Sequence, residues 1–105
     1  MISIIGAGPS GSYLAYDLAR KGHKVNVYED HSVIGNPIQC TGLTTSSLNE
    51  IIKIDQDIVI DKAKTARIFS PDNNFVEIKL EGSNYIFDRG EFDRYVAKLA
   101  MSEGA

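Results

Sequence analysis

A chain of 105 residues holds one domain at most, with a core of modest size. Hydrophobic residues make up 43% and charged residues 24%, as in soluble globular proteins, and a net charge of −3 without a basic run argues against nucleic acid as a partner. The single Cys40 excludes an internal disulfide and suits a reducing, cytoplasmic compartment, and no apolar run approaches the length of a membrane span. A secretory signal is not expected either, because Gly6 to Gly11 interrupt the place of its apolar segment.

Residues 2–5 (ISII) form a short apolar run that predicts a buried parallel strand. From Pro9 or Ser10 to Lys21 the period turns helical, with Leu14, Ala15, Leu18 and Ala19 on one face and Gly22 as the stop. Val25 to Tyr28 make the next strand, so the first thirty residues read as a βαβ unit with a right-handed crossover. Residues 31–48 are rich in Gly, Pro, Ser and Thr and read as loop, with a short helix over 44–53. Strands are predicted over 63–69 and 75–80, joined by the turn formers SPDNN, and a further short strand over 84–87. The alternation of Phe75, Glu77 and Lys79 with Val76, Ile78 and Leu80 predicts an antiparallel strand with one wet face. Asp88 and Glu91 have the spacing of a capping box for a last helix, 90–103, which buries Phe92, Val96 and Leu99 and closes at Gly104. The expected fold is α/β: a Rossmann-like βαβ dinucleotide-binding unit with added antiparallel strands and a C-terminal helix. Since an α/β chain normally continues into another strand after such a helix, residues 1–105 are expected to be the first part of a larger domain.

Gly6-Ala7-Gly8-Pro9-Ser10-Gly11 fits the pattern G-x-G-x-x-G, and its setting gives the pattern meaning. It follows a strand and opens a helix, and an acid, Glu29, stands 18 residues beyond Gly11 at the end of the second strand. Gly6 permits the tight turn, Gly8 lets a pyrophosphate approach the backbone, and Gly11 brings helix and strand close together. Ser10 lies in the first turn, where free N–H groups and the helix dipole favour phosphate. A carboxylate at Glu29 accepts the hydroxyls of an adenosine ribose and repels a 2′-phosphate, which disfavours NADP. FAD and NAD share the ADP half, so these residues alone do not separate them.

The run from Gly6 through Gly8, Gly11, Ala15, Leu18, Gly22, Val25 and Val27 to Glu29 resembles the N-terminal signature of FAD-dependent oxidoreductases of the glutathione-reductase and hydroxybenzoate-hydroxylase type. The segment IGNPIQCTGL, residues 34–43, is similar to the P-x-x-C-x-G loop of geranylgeranyl reductases, flavoenzymes that saturate isoprenoid double bonds in archaeal lipids. YIFDRGEFDRYVAKLAMSEGA, residues 85–105, resembles their arginine-then-Phe-Asp helix, a feature shared with flavin-dependent halogenases and aromatic hydroxylases. The resemblance covers the whole chain but only about the first quarter of such an enzyme. It implies FAD as cofactor, an external electron donor, an isoprenoid substrate and, through that lipid, peripheral contact with a membrane.

By the same resemblance, the amides of Cys40, Thr41, Gly42 and Leu43 lie toward the ribityl or ring end of the flavin. Alkene reduction needs a hydride and a proton, and a thiol at Cys40 is a candidate proton donor. The alternative is a cysteine that merely fills space. Arg89 stands at a helix start, a poor place for a cation, so it is expected to face an anion. The FAD pyrophosphate is one candidate, and Asp88 or Glu91 the other. Asp93 is expected to be structural, Arg94 to face solvent, and His23 and His31 to be exposed, with no second ligand at metal spacing. Two other functions stay open: an FAD-dependent hydroxylase or halogenase, and a non-catalytic dinucleotide-binding module. Residues 1–105 by themselves are expected to bind FAD weakly and to catalyse nothing.

Overall fold

The computed structural model describes residues 1–105 and divides them into two compact units, Met1–Cys40 with Arg89–Ala105, and Thr41–Asp88. The first unit begins with strand β1 (Ile2–Ile5), helix α1 (Pro9–Arg20) and strand β2 (Val25–Tyr28). β1 and β2 pair in parallel, with Ile2 opposite Val25 and Ile5 opposite Tyr28. Helix α2 (Arg89–Ser102) completes this unit and packs on α1. Ala15, Val25 and Ala100 form a buried cluster, flanked by Ile4, Tyr16, Leu18 and Val27. The small side chains at 15 and 100 let two helices and a strand meet there. Phe92, Val96 and Ala97 add buried surface along α2, while Leu99 is half-buried.

Both helices end by the same device. The N–H of Gly22 bonds to Ala19 O (2.9 Å) and that of His23 to Leu18 O (3.1 Å). Gly104 N–H to Met101 O and Ala105 N–H to Ala100 O, both 3.1 Å, repeat the pattern at α2. This double bond pattern requires a residue in the left-handed region just past the helix, and Gly22 (φ +83°) and Gly104 (φ +98°) supply it.

The expectation that residues 2–5 are a buried strand is corrected. Ile2 and Ile4 are half-buried, but Ile5 is 91% exposed. A two-stranded sheet has its helices on one face only, so alternate residues of β1 meet solvent.

The second unit is a three-stranded antiparallel sheet in the order β3-β5-β4, formed by β3 (Leu43–Thr45), β4 (Val59–Phe69) and β5 (Phe75–Phe87). A 3₁₀ turn, Ser46–Glu50, stands within the span 44–53 where the sequence suggests a short helix, and a second, Gln56–Ile58, follows beyond it. Ile52, Ile54, Ile58 and Phe87 are its buried apolar residues. The segments 75–80 and 84–87 belong to one strand rather than two. The register against β4 jumps between Ala63, opposite Asn84, and Thr65, opposite Lys79, which leaves a bulge on β5. Gly82 (φ +71°) sits in that bulge, so the Gly-Ser pair that reads as a break bends the strand without ending it. The turn at 70–74 forms as expected, closed by Ser70 N–H to Asn74 O (2.8 Å) with Asn73 at φ +66°. The prediction of one wet face for β5 fails at this end of the hairpin. Ile68, Phe69, Phe75, Val76 and Ile78 are all exposed, and neighbours in this alternating run point to opposite faces of the sheet.

Candidate functional site

The glycine loop joins the end of β1 to the start of α1, and three contacts hold it. Gly6 N–H bonds to Tyr28 O (2.7 Å), continuing the parallel ladder one residue past the strand. Ser12, 1% exposed, donates its hydroxyl to Ala7 O (3.0 Å). Glu29 accepts the N–H of Ala7 on Oε2 (2.7 Å). The chain then turns at Gly6 (φ +94°) into a helix that starts with Gly8 as N-cap and Pro9 in its first turn.

The three glycines have different surroundings. A Cβ on Gly11 would lie 2.1 Å from Gly6 O and 3.4 Å from Ile4 Cγ2, so α1 reaches the strand only with glycine here. A Cβ on Gly8 would meet nothing within 4 Å, so the backbone at Gly8 faces open space at the helix N-terminus. No side chain caps this helix end. Proline has no N–H, which leaves those of Ser10 and Gly11 as donors without partners in the helix. Such an end accepts an anion.

Glu29 carries the electrostatics of the site. Besides Ala7, it accepts on Oε1 from the backbone N–H of His31 (3.0 Å) and from His31 Nδ1 (2.7 Å). The Ala7 N–H, followed by the backbone and ring donors of His31, holds its carboxyl down at about 2, so it is ionised throughout the physiological range. His31 also lies 2.9 Å from Asp30 Oδ1. Bonding to Glu29, with the Asp30 charge beside it, raises the imidazole above its usual 6.5. His31 is exposed as expected, and its ring is hydrogen-bonded to both acids. The ligand-type atoms of Glu29, Asp30 and His31 lie within 4.8 Å of one another, although sequence spacing shows no companion for this histidine; they are engaged with each other by hydrogen bonding.

Beside Glu29 opens a cavity of about 180 Å³, lined by Ala7, Val27 and Glu29 and by Ala97, Ala100 and Met101 of α2, with Ile34 at its side. It is mainly apolar, with the carboxylate at its edge. Arg94 holds the loop that carries Ile34, donating to Ile34 O (2.9 Å) and to Glu91 (2.6 Å). Arg94 is therefore not the free, solvent-facing side chain that the sequence suggests. Gly35 (φ +78°) lies so near Gly90 that a Cβ on it would come within 2.8 Å of Gly90 Cα and O. This close crossing seats the loop on the first turn of α2.

Arg89 is the first residue of α2, not the residue before it. Its Nε donates to Asp93 Oδ1 (3.1 Å), one helical turn on, with side chains 21% and 13% exposed. Asp93 offsets the unfavourable position of a cation at a helix start, which accounts for both residues. Cys40 is exposed at the end of the segment from Met1. Thr41, Gly42 and Leu43 open the second unit, where Gly42 O accepts Phe87 N–H (2.9 Å) and Leu43 pairs with Ile86. Gly6, Gly8, Ser10, Gly11 and Glu29 thus meet around one loop, while Arg89 and Cys40 are not part of the cavity lining. Ser12, His31 and Arg94 escape a reading by motif, because each acts through a backbone carbonyl or a neighbouring acid that spacing does not reveal.

A parallel βαβ unit whose glycine loop opens a helix and whose second strand ends in a buttressed carboxylate is a dinucleotide-binding fold. The family of NAD(P)-binding Rossmann-like domains matches residues 4–74, and the chain belongs to that family. Over 99% of its length it is 37% identical to the digeranylgeranylglycerophospholipid reductase of Methanocella arvoryzae and 38% identical to that of Picrophilus torridus. It spans 28% of the length of each of these relatives. Among solved structures, a geranylgeranyl bacteriochlorophyll reductase-like protein from Thermoplasma acidophilum superposes with a TM-score of 0.87 at 32% identity, covering 99% of this chain and 28% of that one. The flavin-dependent brominase Bmp2 shares the fold, with a TM-score of 0.72 at 22% identity over 99% of this chain and 27% of its own. No helix here is long and apolar enough to cross a membrane.

Proposed function

We propose that this chain binds the ADP half of FAD and forms part of a flavin-dependent oxidoreductase that saturates isoprenoid double bonds. One observation carries the reading: the Glu29 carboxylate is fixed on the glycine-loop backbone at 2.7 Å, beside a helix N-terminus that no side chain caps. The residues fit the group. Open space at Gly8 and the donors of Ser10 and Gly11 suit a pyrophosphate, and Glu29 keeps an acceptor position for ribose. Bound FAD would supply hydride chemistry at its isoalloxazine ring, with electrons from an external donor. The chain's own part is to hold the ADP half, to refuse a 2′-phosphate through the ionised Glu29, and to present Cys40, Thr41, Gly42 and Leu43 beyond the second strand. Cys40, exposed and carrying a weakly acidic thiol, is the candidate proton donor. Arg89, held by Asp93, is assigned to the pyrophosphate only if that pair opens. The lipid nature of such a substrate brings peripheral membrane contact with it.

Flavin titrations test this directly. Glu29→Ala is expected to weaken FAD at least tenfold and to leave FMN, which lacks adenosine, unchanged. Equal losses for both flavins would remove Glu29 from the ribose. A second reading, a flavin-dependent halogenase, draws on the likeness to CmlS, 28% identical with a TM-score of 0.68. That score is below the 0.87 of the reductase-like protein, which favours the reductase.

A further inference from the structure

Counting acceptor positions at Glu29 leads to a residue that no motif assigns. An ionised carboxylate offers about four acceptor positions, two on each oxygen. Oε1 uses both of its own, one for the His31 backbone N–H (3.0 Å) and one for His31 Nδ1 (2.7 Å). Oε2 spends one on Ala7 N–H, which leaves a single position open. A ribose cis-diol brings two donors. The second hydroxyl can be accepted only where the imidazole now sits.

We propose that His31 is a pH-dependent cap on the ribose-binding carboxylate, and that an adenosine-containing ligand must displace its ring to bind with both hydroxyls. The inference rests on the assignment of Glu29 to ribose. Displacement is sterically free, since the His31 side chain is 52% exposed and its ring is held only by acids. Those acids, Glu29 and Asp30, are the charged groups that face it. The backbone N–H of His31 stays on Oε1 when the ring swings out, so Glu29 keeps its orientation and gains one acceptor position. The charged imidazolium holds the carboxylate more strongly than the neutral ring does, as its raised affinity for the proton shows. Ligand entry therefore costs more at low pH and releases a proton. Affinity rises as the pH climbs through the His31 transition, above 6.5, and is level on either side. A difference of one unit between the free and bound states of His31 corresponds to about a tenfold change in affinity.

ADP-ribose is the suitable probe, because its pyrophosphate does not titrate between about pH 5.5 and 8.5. Calorimetric titration of the purified chain is expected to show binding that tightens across this range, with proton uptake by the buffer. The 2′-deoxy analogue, which needs no second acceptor, is expected to bind with a flat profile. His31→Phe removes the competing donor and His31→Asn keeps one that does not titrate. Both are expected to flatten the profile, with His31→Phe tighter than wild type at low pH. NMR titration of the His31 ring in the wild-type chain, with and without ADP-ribose, gives the same answer without a variant: its transition should fall on binding. A flat wild-type profile with ADP-ribose still favoured over the deoxy analogue overturns the cap and leaves Glu29 on the ribose. Equal binding of the two ligands, or no binding at any pH, overturns both assignments.

Discussion

Replacing Gly11 by alanine tests whether the glycine loop is a structural joint as well as a binding element. The added Cβ would stand 2.1 Å from Gly6 O, and real contacts of this kind stay beyond 3.0 Å, so α1 and the loop must part by about 0.9 Å. Neither side yields easily. The Gly6 N–H is tied to Tyr28 O, and α1 is held against the sheet by Ala15, which has no exposed surface. Overpacking costs about 1–3 kcal/mol where side chains can adjust, and a backbone carbonyl puts this site near 3. For a chain of this size that corresponds to a fall in Tm of about 12 °C or more, read by circular dichroism on heating. Gly8→Ala is the control, because its Cβ meets nothing within 4 Å and its backbone is ordinary extended chain. It is expected to leave Tm unchanged while weakening FAD. A Gly11→Ala chain that melts within about 2 °C of wild type would refute the reasoning, since a barrier of that kind would then cost under 1 kcal/mol.

The crossing of the loop on α2 gives a ranked pair. Gly35→Ala meets backbone at 2.8 Å from a left-handed conformation, whereas Gly90→Ala meets mainly the movable end of Arg94 at 3.1 Å, so Tm should fall further for Gly35→Ala. Arg94→Met should cost about 1 kcal/mol through the lost bond to Ile34 O and speed amide exchange in residues 32–36. The Glu29 carboxyl has a folded value of about 2 against 4.5 unfolded, so its contribution to stability is complete above 4.5 and disappears as the pH falls toward 2. Acid titration by circular dichroism should therefore show a steeper loss in that window for wild type than for Glu29→Gln. His31 has the opposite sign: its contribution is full below 6.5 and fades as the pH rises through its raised value, and His31→Phe should abolish that alkaline trend.

The βαβ unit was legible because each of its parts is dictated locally. The strand bounds at 2–5 and 25–28, the helix from Pro9 and the stop at Gly22 all follow from residues within one turn of the feature they set. The second unit was less legible for a physical reason. Gly82 and Ser83 carry the same chemistry in a bulge as in a turn, and only the pairing of β5 with β4 decides between them. The exposure of Phe69 and Phe75 was out of reach for a related reason, since alternation shows which residues share a face and not whether a second layer covers it.

The candidate site divides along the same line. Glycines and Glu29 were readable because a phosphate needs bare backbone and a ribose needs a carboxylate at a strand end. The state of that carboxylate was not readable, because it depends on which donors the fold brings to it. Ala7 is 22 residues away in sequence, and it reaches Oε2 only because parallel pairing sets the end of β1 beside the end of β2. His31 is two residues away and reaches Oε1 only because the chain turns back after the strand. One donor belongs to the backbone of the fold; the other is a side chain at the surface. Under the proposed function, the dinucleotide motif would supply the ribose with its carboxylate, and the residue just outside the motif would make the availability of that carboxylate depend on pH.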